Sequence, residues 1–559
     1  MVVSLDDGVK RLEQAVDRWQ QAAPASLAEV ARTTARSVAE QAEAWVAAAV
    51  ALKSAGQKPA ASVMAEETAT GPLATLRLLL TTARVWSEIA SQGLPRPASP
   101  PRVLHAAGPG SFIAVDIIPE PRLFDRVIFG GHSATVRCGH PGSVETFASA
   151  WRAEAASRPR SGGVAVVLGA GNVTGLAPAD AIDQIFTHGR AVLLKLHPLH
   201  AALEPVYRDA LAPLREAGLL EIIVGGADVA AAAVAAPGIT HVHLTGGRAA
   251  FDAIVWGGDP GARSEPLLKK SITCELGNVT PWIIVPGRYT PPQLRFQADL
   301  VAGSIANNTS FNCIATKCLV TCRQWPQRDE FLRLVAGRLG SLSPRPAWFP
   351  GAAAAWEAAT ELRPPDDGCL PWTFLTGIDA GRDRRLLDRE WFVPVATEVP
   401  LDAADVEAFC GRAAEFAHSL PGSLAASVTL PGSLPAADRA RAELLVEHLR
   451  YGLVAVNTWS ALAYAMGSVP WGGYPGATLR EPASGIGHVH DPLMLPLVHN
   501  TILRAPLASG LLPAWLPWHP TGAKLARGLL GVYSAVARGR SGLGQFLSLI
   551  PPVLAGGRA

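Results

Sequence analysis

The sequence predicts an α/β protein with two doubly wound regions, each a mostly parallel sheet with helices on both faces, plus a small β element. Three observations carry this reading. The chain has 559 residues, and single cores stop growing near roughly 250–300 residues, so two or more domains are required. Short continuous apolar runs recur: "VAVVL" at 164, "AVLLKL" at 191, "LEIIV" at 220 and "HVHL" at 241. Helix-spaced segments such as "APADAIDQIFTHG" and "EPVYRDALAPLREAG" lie between them. Apolar strands alternating with helices indicate a parallel sheet buried on both faces.

The elements follow in chain order. Residues 1 to about 95 are helical in pattern, with Val9, Leu12, Val16 and Trp19 marking an early apolar face. A Pro-rich joint, "GLPRPASPPRV", spans 93–103, and residues 103–145 read as strands and turns. The first strand–helix alternation begins at 161. A second α/β stretch covers about 276–465, opening with the strand "WIIV" and a helix on which Leu294, Ala298, Val301 and Ile305 share one face. The last fifty residues are broken by Pro and Gly and contain "GAKLARGLLGVYSAVARGR". There Leu525, Leu529, Val532 and Val536 share a face while Lys524, Arg527, Arg538 and Arg540 stay wet. Such a helix either docks on its own protein or makes a weak membrane-surface contact.

Composition excludes several classes. The chain is 49% hydrophobic and 17% charged with a formal net charge of +2, too even a balance to point to nucleic acid. The N-terminal "MVVSLDDGVKRLEQAVDRW" has early acids and helical spacing, unlike a secretory signal. No window offers the ~20 apolar residues of a membrane span. The seven cysteines include no CxxC, so reduced thiols and a cytoplasmic location are expected. Cys313, Cys318 and Cys322 fit no familiar zinc or iron–sulfur spacing, and no metal is expected.

Four segments carry chemistry. "LGAGNVTG" at 168–175 follows a strand and loosely matches a dinucleotide loop. That fingerprint expects an acid at the end of the next strand, where this chain has Lys195. "CELGNVTP" puts Glu275 at a strand end, and "NNTSFNCIATKC" sets Cys313 in a polar run between apolar stretches. Taken alone, Cys313 is a nucleophile, a ligand or a buried inert thiol. "REWFVPV" places Glu390 beside Phe392.

In this order these segments, with "LLKLHP" and "HLTGG", resemble the aldehyde dehydrogenase superfamily over roughly residues 20–505. The resemblance implies an aldehyde-dehydrogenase-like fold. Residues 1–125 would be the helical part of the cofactor domain, 126–150 oligomerisation strands, and 151–275 a Rossmann-like NAD(P)-binding domain. Residues 276–465 would form the catalytic domain, 466–505 a return to the cofactor and oligomerisation elements, and 506–559 a C-terminal extension. It further implies oxidation of a small-molecule aldehyde to an acid, with NAD or NADP as acceptor, by a homodimer or homotetramer. Cys313 would be the nucleophile, Asn172 an oxyanion donor and Glu275 the base that activates water. Thr245, Gly246 and Gly247 would approach the cofactor phosphates, Lys195 the adenosine ribose, and Glu390 with Phe392 the nicotinamide ribose.

The chain departs from the family pattern at several places. Ser310 and Phe311 stand where Gly-Gln is usual, Gly171 replaces an aromatic, and Thr174 and Val393 replace a proline and a glycine. Pro198 stands where an acid often selects the unphosphorylated cofactor; with His197 and Arg248 adding positive potential, NADP should be accepted. Trp459, Leu462 and Tyr464 point to a medium or long aliphatic, or an aromatic, substrate. Two alternatives stay open: an acyl-CoA-linked enzyme of the same fold, which commonly lacks the glutamate, and a non-catalytic scaffold.

Overall fold

The computed structural model describes residues 5–105, 111–120, 123–140, 142–157 and 162–557. Four helices open the chain: α1 (Leu5–Gln20), α2 (Pro24–Ser54), α3 (Ala61–Thr68) and α4 (Ala74–Gln92). The apolar face read from α1 is the one it buries: Val9, Leu12, Val16 and Trp19 are all inside, packed near the strands at 164 and 191. Pro24 begins α2 where a missing N–H is harmless, and Ala55 ends it in a left-handed conformation.

Two sheets organise the rest. The first holds β4 (Val164–Leu168), β5 (Ala191–Leu196), β6 (Leu220–Val224), β7 (Ile239–Thr245) and β8 (Ser271–Glu275), all parallel, with β15 (Gly485–Ile486) antiparallel on its edge. Its order is β15-β8-β7-β4-β5-β6. All four apolar runs read from the sequence are strands here. Both faces of β4 and β5 are buried along their whole length, which is why they show no alternation.

The second sheet has ten strands, in the order β1-β2-β3-β16-β14-β13-β9-β10-β12-β11. They are β1 (Arg102–His105), β2 (Ser111–Ile118), β3 (Ser133–Cys138), β9 (Pro281–Ile284), β10 (Cys318–Cys322), β11 (Thr373–Leu375), β12 (Val395–Leu401), β13 (Ala425–Thr429), β14 (Leu453–Val456) and β16 (Val498–Arg504). Strands β9 to β14 are parallel to one another. β16 pairs parallel with β14 on one side and antiparallel with β3 on the other. The small β element therefore continues this sheet within the same chain. Of the segment 126–150 expected as strands, only β3 is one; Val144–Ser157 is a helix whose Phe147, Trp151 and Ala155, spaced four apart, are buried.

Helix α5 (Leu176–Phe186) follows β4, α6 (Arg248–Trp256) follows β7, and α7 (Pro291–Ala306) follows β9. The Leu294, Ala298, Val301 and Ile305 face of α7 is fully inside. Helix α8 (Gly522–Ala537) carries the C-terminal apolar stripe. It lies on α2, α3 and α4, with Leu525 and Val532 buried and Leu529 and Val536 half-buried, so protein covers the apolar face. Tyr533 Oη anchors it on Arg77 and donates to Leu123 O at 3.2 Å. No described helix is long and apolar enough to cross a membrane.

Candidate active site

The site lies where strand ends of both sheets meet. Glu275 is the last residue of β8, 3% exposed. Cys313 sits on the loop between α7 and β10, and Thr280 Oγ1 holds its carbonyl at 2.8 Å. The Cys313 Sγ to Glu275 Oε1 distance is 3.3 Å. Two residues separated by a whole strand and helix are thus in direct contact. Asn172, on the loop after β4, donates from Nδ2 to Phe311 O at 3.1 Å, two residues before the cysteine.

The cysteine loop is held in an unusual conformation. Asn308, Thr309 and Ser310 have φ of 52°, 56° and 62°, the left-handed region that costs roughly 1–2 kcal/mol per L-residue. Ser310 occupies the place where the resemblance leads one to expect glycine, and Lys317 compensates. Its buried ammonium donates to Ser310 O at 2.9 Å, Ser310 Oγ at 2.8 Å and Val393 O at 3.1 Å. Asn308 Nδ2 donates to Asn172 O at 2.9 Å and Phe311 O at 2.8 Å, tying the asparagine and cysteine loops together. Behind them Lys53 Nζ bridges Asn308 Oδ1 at 2.7 Å and Glu67 Oε1 at 2.5 Å. Glu67 Oε2 in turn accepts from Thr174 Oγ1 at 3.1 Å. Thr174 therefore links the asparagine loop to a buried ion pair, a contact a proline there could not make.

Electrostatics load this pocket with protons. Burial first, then the carboxylates of Glu275 and Glu390, push the Cys313 thiol well above its usual range. Burial, then the Asp180 carboxylate, raises Glu275. Glu390 rises to about 7 through burial, opposed by the Lys317 charge, and Lys317 is lowered to about 8 by its own burial. A Cβ on Gly277 would lie 2.2 Å from Glu390 Oε2, so only glycine leaves room for that carboxylate. The structure thus brings Glu390 to the cysteine pocket. Phe392 joins an aromatic cluster with Phe311 and Phe349, at centroid distances of 6.2 and 5.1 Å.

The residues expected around a dinucleotide end the strands of the first sheet. Lys195 is near the end of β5 and 7% exposed; burial lowers its pKa while Asp228 acts the other way. Gly246 and Gly247 lead into α6, and a Cβ on Gly247 would meet nothing within 4 Å. An open approach to helix N–H groups is what a pyrophosphate needs, so these residues fit such a cofactor. Thr245 Oγ1 is engaged with Asp180 Oδ2 at 2.8 Å. Burial and then the Lys195 charge lower the His197 pKa, and the Arg248 guanidinium is paired with Asp252 at 2.8 Å. Gly171 has its own reason: a Cβ there would sit 2.5 Å from His197 Nδ1.

Trp459 donates from Nε1 to Ile314 O at 2.7 Å and packs on Trp515 of the C-terminal extension at 4.9 Å. Trp459 thus contacts the residue after the cysteine, and Leu462 and Tyr464 follow it on a short helix. Sequence reading passed over Lys317 and the buried Asp180, His243 and His490. Of these, His243 was signalled by polar residues at alternating positions of β7 and β8, Thr245, His243 and His241 beside Glu275, Thr273 and Ser271.

No family model and no curated protein matches the sequence. Solved structures do. Aldehyde dehydrogenase C from Pseudomonas syringae, a mutant complexed with NAD+ and octanal, is similar at 16% identity and a TM-score of 0.60, covering 91% of this chain and 90% of that one. A Mycobacterium tuberculosis aldehyde dehydrogenase with NAD+ is 17% identical at a TM-score of 0.60, covering 90% of each chain. An indole-3-acetaldehyde dehydrogenase with NAD+ is 18% identical at 0.58, covering 89% of this chain and 87% of that one. Built of the same sheets over nearly its whole length, the chain has the aldehyde dehydrogenase fold.

Proposed function

We propose that this protein oxidises an aldehyde to a carboxylic acid, with NAD or NADP as acceptor, through a covalent adduct on Cys313. The observation that carries this reading is the 3.3 Å contact between Cys313 Sγ and Glu275 Oε1. A raised thiol needs a base, and a carboxylate raised by burial can take its proton. The sulfur lone pair then attacks the aldehyde carbon, a C–S bond forms, and the carbonyl π pair moves to oxygen. An amide nitrogen carries two hydrogens. One from Asn172 is on Phe311 O, leaving the other as donor to that oxyanion, together with a backbone N–H of the cysteine loop.

Bound NAD or NADP would supply the hydride acceptor that turns the thiohemiacetal into a thioester. Gly246, Gly247, Thr245 and Lys195 would hold its nucleotide end and Glu390 with Phe392 its nicotinamide end. To release the acid, Glu275 takes a proton from water as its oxygen attacks the thioester carbon. The C–S bond breaks and Cys313 leaves as thiolate. The side chains of Trp459, Leu462 and Tyr464 favour a medium or long aliphatic, or an aromatic, aldehyde. We also infer assembly as a homodimer or homotetramer. The outer strand β1, with Val103 40% exposed, offers a backbone edge to a second copy; light scattering checks it.

The test is a panel of aldehydes with each cofactor, with and without coenzyme A, followed at the reduced-nicotinamide absorbance. Reduction without coenzyme A, abolished in Cys313→Ala, is expected. Turnover only when coenzyme A is present would replace hydrolysis by acyl transfer. No reduction with any aldehyde would leave a scaffold.

A further inference from the structure

Between β7 and β8 runs a line of polar side chains of which the chemistry above uses only Glu275 and Thr245. The strands are parallel and in register: His241 beside Ser271, His243 beside Thr273, Thr245 beside Glu275. Side chains alternate along a strand, so these six share one face, while Val242, Leu244 and Cys274 on the other belong to an apolar cluster. The line is continuous. Ser271 Oγ is 2.8 Å from His241 Nδ1, and His241 Nε2 is 2.9 Å from Thr273 Oγ1. Thr273 Oγ1 is also 2.9 Å from His243 Nδ1, whose Nε2 is 3.3 Å from Thr245 Oγ1. Thr245 Oγ1 meets Asp180 Oδ2 at 2.8 Å, and Asp180 Oδ1 meets His490 Nε2 at 3.0 Å. Ser271 is exposed, whereas His241, His243, Thr245, Asp180 and His490 are buried.

One end of this line reaches solvent and the other reaches the base. Thr245 is the registered neighbour of Glu275, and the Asp180 and His490 charges both act on its carboxyl. Glu275 Oε2 is buried with no hydrogen bond of standard geometry, and the Trp471 side chain acts on the same carboxyl at the inner end. Among the described residues no such group is arranged to hold a metal ion. The links can pass a proton: imidazole has two nitrogens, and a hydroxyl donates and accepts. The Asp180 carboxylate, held against its burial well below the usual carboxylate range by His243 and His490, accepts and orients its neighbours. A buried polar row of this length is costly unless fully satisfied, and an apolar strand pair would have served the fold.

We propose that Ser271, His241, Thr273, His243, Thr245, Asp180 and His490 form a proton relay between Glu275 and solvent. The proposal rests on Glu275 being the base. Each turnover delivers protons to a carboxyl buried from bulk solvent: one from the thiol, one from the attacking water. A turn of the Glu275 carboxyl, or one bridging water, passes a proton to Thr245 or His490. Each imidazole then accepts on one nitrogen as it releases from the other, and the proton leaves at Ser271. No electron moves and no net charge stays behind. Asp183, His188, His488, Asp491, Arg190 and Tyr464 surround the row and set its field.

Thr273→Val tests this, because it keeps the side-chain shape and cuts two links of the row at a residue with no role in the chemistry above. Stopped-flow records cofactor reduction and, with an indicator dye in weak buffer, proton appearance. In the parent the two should run together. In Thr273→Val, proton appearance and steady turnover should lag about tenfold, the value of one lost ~1.4 kcal/mol step, with an unchanged burst of reduced cofactor. Added imidazole buffer or Thr273→Ser should recover the rate. Proton appearance at the parent rate in Thr273→Val overturns the relay. So does a fall in burst and turnover together that neither buffer nor serine relieves, since that marks a structural role. Glu275→Gln keeps the two readings apart: parent-rate turnover there removes the base itself, whereas its loss beside an unaffected Thr273→Val removes only the relay.

Discussion

The two halves of the Cys313–Glu275 pair are presented in opposite ways. Glu275 ends a regular strand, paired in register with β7 on one side and β15 on the other, so the sheet itself positions its carboxyl. Cys313 follows three consecutive left-handed residues and depends on charges brought from elsewhere: Lys317 beneath Ser310, and Lys53 with Glu67 behind Asn308. A base that must move protons sits on a rigid ladder, whereas the nucleophile sits on a strained loop clamped by buried ions. Failures at the two places should therefore look different, in chemistry at one and in stability at the other.

The largest effect separates the two as chemistry. Cys313→Ala should lose all turnover while still binding cofactor. Glu275→Gln keeps the shape but not the base, and general-base loss typically costs on the order of 10²–10⁴ in rate. It should give a burst of reduced cofactor, then a slow phase, with a thioester adduct mapped by intact mass and digestion to Cys313. An adduct on Cys318 or Cys322 would sink the assignment; both are buried on β10.

The next effect is on stability. Lys53→Met leaves the Glu67 carboxylate buried and uncompensated, and breaking one partner of a buried pair costs roughly 3–5 kcal/mol. Urea unfolding should show that loss, and Lys53→Met with Glu67→Gln should recover most of it because no charge is then stranded. If the single variant unfolds like the parent, the clamp has no energetic weight.

This contrast also governs what could be read from the sequence. The strands of the first sheet were legible because β4 and β5 are apolar without interruption, and the α1 and α7 faces because apolar residues recur at helical spacing. The joining of β3 to β16 was reached only through the family resemblance, since it pairs residues 133–138 with 498–504 and no local pattern encodes such a partner. The α8 stripe was visible, but not that α2 and α4 cover it. At the site, the glutamate and cysteine segments stood out through their resemblance to a family. The clamp did not: Lys53, Glu67 and Lys317 look like ordinary helix or loop charges until tertiary structure buries them. The His241 and His243 alternation was in plain view, yet strands with continuous apolar neighbours gave no reason to weigh it.

A pH series distinguishes the regions again. Glu390 has a folded pKa raised by burial from its ordinary 4.5 to about 7, so the folded state holds a proton that the unfolded chain releases. That contribution is fully present below about pH 4.5 and is lost as pH rises through about 7. Stability measured in urea should fall across this window, and Glu390→Gln should flatten the fall. An equal slope in both proteins would place the titration elsewhere.

The smallest effect probes the strain directly. Thr309 is β-branched, buried and left-handed, with φ 56°, a conformation in which its Cβ crowds the following carbonyl. Thr309→Gly removes roughly 1–2 kcal/mol of that strain but adds back about 0.5–1 kcal/mol of unfolded-chain entropy. Losing the small buried side chain offsets more. Stability should therefore rise by no more than about 1 kcal/mol, against the loss of that size expected for glycine at an unstrained buried site. The burst of reduced cofactor should slow in the same variant, because a loop freed of strain holds Cys313 against Glu275 less firmly. A variant that is clearly less stable would mean that the loop is not strained at Thr309, and that the clamp secures packing alone.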